Sequence, residues 1–191
     1  WLSIVMIVLA AALLVYAFIR RRKLLKLTEE NNRKINDDDL DVYSYNTFNI
    51  VTVATAVPLV LSLMALAIQT LAAENVWLVV LTIALLFVST FMSFQASALA
   101  NVIYPEKELP EISDKKYAEK LFAASDEGEI FIMAKALYRS WTLTTTMLFF
   151  ALIFMIFYSF VTSESQIFSI VIIGFIMIIN QLKYAYEIRE K

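Results

Sequence analysis

The chain has 191 residues, 60% of them hydrophobic, with a mean hydropathy of +0.70, well above the roughly half-apolar make-up of soluble domains. Sixteen Lys and Arg stand against 18 Asp and Glu, and the resulting net charge of −2 offers nucleic acid no attraction. Neither cysteine nor histidine occurs, which removes disulfides, thiolate chemistry and the commonest general base and metal ligand.

Five apolar stretches follow in order, at roughly 1–19, 49–72, 76–103, 141–162 and 167–186. Each is near or above the ~18–20 residues that cross a bilayer core. Segment 20–48 holds Arg20, Arg21, Arg22, Lys23, Lys26, Arg33 and Lys34. Segment 104–140 holds Lys107, Lys115, Lys116, Lys120, Lys135 and Arg139, and the inner end of the last span with the tail holds Lys183, Arg189 and Lys191. Together these are all sixteen basic residues, whereas the two opposite connections carry only Glu74 and Glu164. Basic residues stay on the cytoplasmic side. The expectation is an all-α polytopic transmembrane bundle, one domain over 1–191, with its basic loops and C-terminus in the cytoplasm of the cell. Trp1 opens in the middle of apolar sequence, so further residues and a sixth span are expected ahead of it. The arginines follow the first apolar run instead of preceding it, which is the wrong order for a signal peptide.

Helix-favouring residues continue from the first span through Ile35, and Asn36-Asp37-Asp38-Asp39 are expected to end that helix. With Asp41, those acids read as a solvated turn in preference to a metal site. Tyr43, Tyr45 and Phe48 suit the headgroup layer before the second span, in which Pro58 predicts a kink. The links at Ala73-Glu74-Asn75 and at 162–166 are short enough to force two antiparallel hairpins. Tyr104-Pro105 should end the third helix, and 114–124 reads as a short amphipathic helix with Tyr117, Leu121 and Phe122 on one side. Ser125 is expected to cap the next helix, with Asp126, Glu127 and Glu129 in its first turn. Ile130, Ala134, Leu137 and Trp141 then recur at helical spacing. A helix over 126–162 would be roughly 55 Å long at ~1.5 Å per residue, so its first turns should project from the membrane.

The Tyr104-Pro105 pair, the run KKYAEKLFAASDEGEIFIMAKALYRS at 115–140 and the block SQIFSIVIIGFIMIINQLKYAYE at 165–187 resemble the domain of unknown function 3169 family of Gram-positive bacterial membrane proteins. Asp126-Glu127-Gly128-Glu129 is the most specific piece. Where the family pattern continues with Tyr-Lys-Ala-Tyr and Thr-Asn, this chain has Tyr138-Arg139-Ser140-Trp141 and Thr144-Thr145. The resemblance implies a multi-pass topology and, as a hint, companionship with regulatory or export components.

Asp126, Glu127 and Glu129, with Lys135 and Arg139, form a candidate docking surface for a protein partner. The competing reading is an acidic start complementing the helix dipole, and three acids in one turn cannot converge on a metal. Arg20, Arg21, Arg22 and Lys23 anchor topology and meet lipid headgroups. Gln69, Gln95, Asn180 and Gln181 are candidates for interhelical hydrogen bonds or a ligand groove, and the Ser and Thr of the spans for cross-helix bonds. Apart from Lys183, near the inner end of the last span, no acid or base lies within a span, which counts against a proton relay. No catalytic residue, cofactor or metal is expected. The function read from these features is a non-catalytic membrane protein presenting its cytoplasmic segments to a soluble regulator or export subunit, or to a second copy. The alternative is an immunity or export protein handling a membrane-active peptide or lipid through Phe149, Phe150, Phe154, Met155 and Phe157.

Overall fold

The computed structural model describes residues 1–31, 38–72, 75–103, 110 and 114–189. All regular structure among them is helical: α1 (Leu2–Asn31), α2 (Asp38–Leu71), α3 (Val76–Ile103), α4 (Tyr117–Ala123), α5 (Glu127–Thr162) and α6 (Ile167–Arg189). Every helix but α4 is long and apolar enough to cross a membrane. A helix satisfies its own backbone, the condition lipid imposes, and the chain is a multi-pass, all-α membrane protein. It divides into two compact units, Trp1–Lys120 and Leu121–Lys191.

In the first unit, α2 packs extensively along both α1 and α3, while α1 and α3 meet only slightly. The buried positions of α1 are Ser3, Ile7, Ala10, Leu14, Ala17 and Leu24. They alternate in steps of four and three, and half-buried Arg21 supplies the missing step. That is the seam of two helices wound around each other. α2 answers with Ser44, Thr47, Val51, Ala54, Pro58, Ser62, Ala65 and Gln69, and α3 with Thr82, Ser89 and Ala96 at seven-residue intervals. Most of these residues are small. Lipid tails are as apolar as leucine, so helix association in a bilayer relies on close backbone approach, which small residues permit.

The second unit is the α5–α6 hairpin. Its turn begins at Ser163 in the left-handed region (φ 58°, ψ 14°), which costs an L-residue energy. Local hydrogen bonds hold it: the Ser159 hydroxyl donates to the Glu164 carbonyl (2.8 Å), and the Glu164 N–H donates to Thr162 Oγ1 (3.3 Å). No residue of α5 is buried, as suits a helix whose apolar flanks meet lipid.

Three expectations need correction. Asp38, Asp39 and Asp41 lie in the opening turns of α2, not in a loop, because short acidic residues that oppose helix interiors favour helix starts. Asp126 replaces Ser125 as the N-cap of α5, because the residue three positions after Asp126 is Glu129, which completes a reciprocal capping box with it. Many of the span hydroxyls bond within their own helices. Ser62, Thr82, Ser89, Thr90, Thr142 and Thr146 each donate to the carbonyl four residues earlier, an acceptor always within reach in a helix. α2 is one helix through Pro58. α1 is described to Asn31; the expected continuation through Ile35, and Asn36, Asp37, Glu74, Tyr104 and Pro105, lie outside the described residues.

Candidate functional site

The α4–α5 region is built by local charge. The Asp114 carbonyl accepts from the Tyr117 N–H (3.1 Å), one of its carboxylate oxygens accepts from the Lys116 N–H (3.0 Å), and the other pairs with the Lys120 ammonium. Lys116 pairs in turn with Glu119 at 3.2 Å. Hydrogen bonds from the Lys120 side chain and then the Lys116 backbone hold the Asp114 carboxyl below the usual carboxylate range, against a smaller desolvation effect, and Asp114 raises Lys120. A depressed carboxyl stabilises above its unfolded pKa and stops doing so as pH falls through its folded pKa; a raised ammonium stabilises below its unfolded pKa until pH rises through its folded one. Protection of the Tyr117 amide from hydrogen exchange should therefore hold across neutral pH, corrected for intrinsic rates, and decline at both extremes. In Asp114→Asn the acid-side decline should vanish; its persistence would assign protection to another group.

At the start of α5, Asp126 Oδ1 accepts from the Glu129 N–H (2.7 Å) and Glu129 Oε2 accepts from the Asp126 N–H (3.2 Å). This reciprocal pair satisfies two otherwise orphaned donors. A Cβ on Gly128 would stand 3.3 Å from Asp126 Oδ1, so glycine leaves the cap undisturbed. Of the acids singled out in the sequence, Asp126 and Glu129 thus start the helix, while Glu127 is exposed beside them. Lys135 and Arg139 follow one turn apart, both exposed. Phe131, Ile132, Leu137 and Tyr138, which the docking assignment missed, are also exposed on these turns, Phe131 at 67% and Tyr138 at 60%. Their signal in the sequence was four large apolar residues outside any span.

The four consecutive bases of α1 separate into different settings. Arg20 Nε donates to Tyr16 Oη at 3.0 Å. Arg21 occupies the seam, its Nε enclosed without a partner among the described residues. The Arg22 guanidinium lies 4.4 Å from the centroid of the Phe18 ring. Arg22, Lys23 and Lys26 are exposed and border a hollow of about 480 Å³ with Ile19 and Leu25.

The span amides do not form one constellation. Gln69 is 1% exposed, and neither its oxygen nor its nitrogen has a partner among the described residues. Gln95 is half-buried on α3, roughly 28 Å along that helix from the α2–α3 link at ~1.5 Å per residue, whereas Gln69 stands beside the link. In the second unit Asn180 is half-buried and Gln181 exposed, one turn before Tyr184, whose ring stacks on Trp141 with centroids 4.8 Å apart. Trp141 Nε1 and Thr145 Oγ1, one turn apart on α5, are enclosed without partners among the described residues. Among the described residues no three acids converge on a metal position.

These features define a helical membrane protein of several spans, with a capped, charged helix start and a basic span end as its polar landmarks. The match is more specific than that class: residues 1–188 fit the family described as protein of unknown function (DUF3169), and the chain belongs to that family. No curated protein and no solved structure matches it.

Proposed function

We propose that the protein is a non-catalytic membrane partner, oriented with its basic segments in the cytoplasm, where it presents the first turns of α5 to a soluble regulator or an export-system subunit. The observation that carries this reading is the length of α5 together with what it exposes. Its 36 residues extend roughly 54 Å at ~1.5 Å per residue, against a hydrocarbon core of about 30 Å. The surplus turns hold Phe131, Ile132, Leu137 and Tyr138 exposed, rimmed by Glu127, Lys135 and Arg139. Large apolar side chains in water with a charged rim are the make-up of protein interfaces. The positive-inside rule supports the orientation.

The test is gentle purification from the native membrane through a C-terminal tag. A soluble protein should co-elute stoichiometrically and fall by about tenfold or more when Phe131→Asp and Tyr138→Asp remove central anchors. Substituting Asp126 or Glu129 would be less clean, because both cap the helix. A chain that elutes alone, or a partner indifferent to those two changes, would sink the proposal.

A second reading has one observation in its favour. Phe154, Met155, Phe157, Tyr158, Val161 and Gln166 border a hollow of about 580 Å³ at the Ser163 end of the hairpin. Its aromatic and thioether lining suits a lipid-like or amphipathic peptide ligand, the chemistry an immunity or export protein would handle. Retention of such a molecule by a chain eluting alone would favour it.

A further inference from the structure

The basic end of α1 divides its labour by geometry. Fully buried Leu24 fixes the rotation of the helix, and Arg21 follows it into the seam. Arg20 is engaged by Tyr16. That leaves Ile19, Arg22, Lys23 and Lys26 at positions i, i+3, i+4 and i+7, one outward strip of a helix, around the 480 Å³ hollow that Leu25 also borders. Ile19 and Leu25 supply its apolar wall and the three bases its polar one. Among the residues whose side chains are described, none of these bases has an acidic partner. The Arg22 guanidinium is placed over the Phe18 ring, 4.4 Å from its centroid, and a guanidinium can grip a phosphate through two parallel hydrogen bonds. The strip lies where the apolar run of the first span ends, at headgroup level.

We propose that Arg22, Lys23 and Lys26, with Ile19 and Leu25, form a binding site for one anionic phospholipid, a phosphate diester without a compensating ammonium. The phosphate sits between Arg22 and the two lysines, and an acyl chain runs along Ile19 into the bilayer. Both halves of the occupant are specified: charge complementarity selects the headgroup, and the adjoining apolar wall requires a lipid over a free phosphate ester. Zwitterionic lipid fits less well, because its ammonium would enter a wholly cationic strip.

Full-length protein in nanodiscs of equal phosphatidylglycerol and phosphatidylcholine, read by native mass spectrometry of retained lipid, tests this. The native chain should retain phosphatidylglycerol in preference by roughly tenfold, within what a few interfacial bases supply. R22Q/K23Q/K26Q should bring the ratio near one, and K115Q/K116Q/R189Q, the same loss of charge elsewhere, should leave it unchanged. R22K keeps the charge but loses the planar, two-pronged guanidinium, and should lower the ratio part of the way. Equal loss in both triple variants would reduce the effect to net charge and overturn the site, as would a preference untouched by R22Q/K23Q/K26Q. Displacement of the retained lipid by soluble glycerophosphoglycerol at matched concentration would overturn the lipid assignment in favour of a free phosphate ester.

Discussion

Replacing Ala10 by leucine is expected to destabilise the α1–α2–α3 unit toward the upper end of the about 1–3 kcal/mol that overpacking costs. Ala10 is 0% exposed and stands midway along a seam whose other members include Ala17, Ala54 and Ala65. The added isobutyl group has no cavity to enter, so the helices must separate and surrender contacts along the seam. In a bilayer little opposes that separation, because the exposed surface is wetted by lipid as readily as it was covered by protein. Ala12→Leu makes the same chemical change on the exposed side of α1 and should be neutral within about 0.5 kcal/mol. Thermal unfolding in a mild detergent compares the two directly. Indistinguishable melting curves would mean that the α1–α2 approach is not held by small residues.

Gln69→Met should act in the opposite direction and raise stability by about 1–3 kcal/mol. The Gln69 side chain is enclosed with both polar ends unpaired among the described residues, and an amide taken from water without hydrogen bonds is penalised. Methionine has nearly the same length and adapts to the same space, so the polar penalty goes without a cavity being created. Gln69→Ala would confound the result, since a void replaces the side chain. The same melts decide the matter. A loss of stability in Gln69→Met would show that the amide has a partner, an internal water being the natural one.

The spans were legible because runs of about twenty apolar residues have few uses outside a membrane. Helix limits were less so, since apolarity marks where a chain meets lipid and says nothing of where helical geometry begins. α2 starts at Asp38, in polar sequence that hydropathy leaves out of the span. The α1 seam was written in the steps from Ser3 to Leu24, but a stretch apolar on every side conceals which side faces protein; only the small residues mark it. The α5 cap was readable too. Ser125 and Asp126 are both good cap residues, and the glutamate three positions after Asp126 decides between them. Arg20 through Lys23 form one block in the sequence and diverge in space, because successive residues on a helix point about 100° apart. That Gln69 lacks a partner depends on what surrounds it, which no local pattern encodes.

From Glu127 to Thr162 helix α5 contains no proline, and no glycine beyond Gly128, so nothing in it works as a hinge. Mechanically it is a single shaft. A torque applied at Phe131 and Tyr138 turns Phe154 and Phe157 through the same angle, with no chain of side chains needed to relay it. Whatever grips one end of this helix sets the azimuth that its other end shows to the lipid.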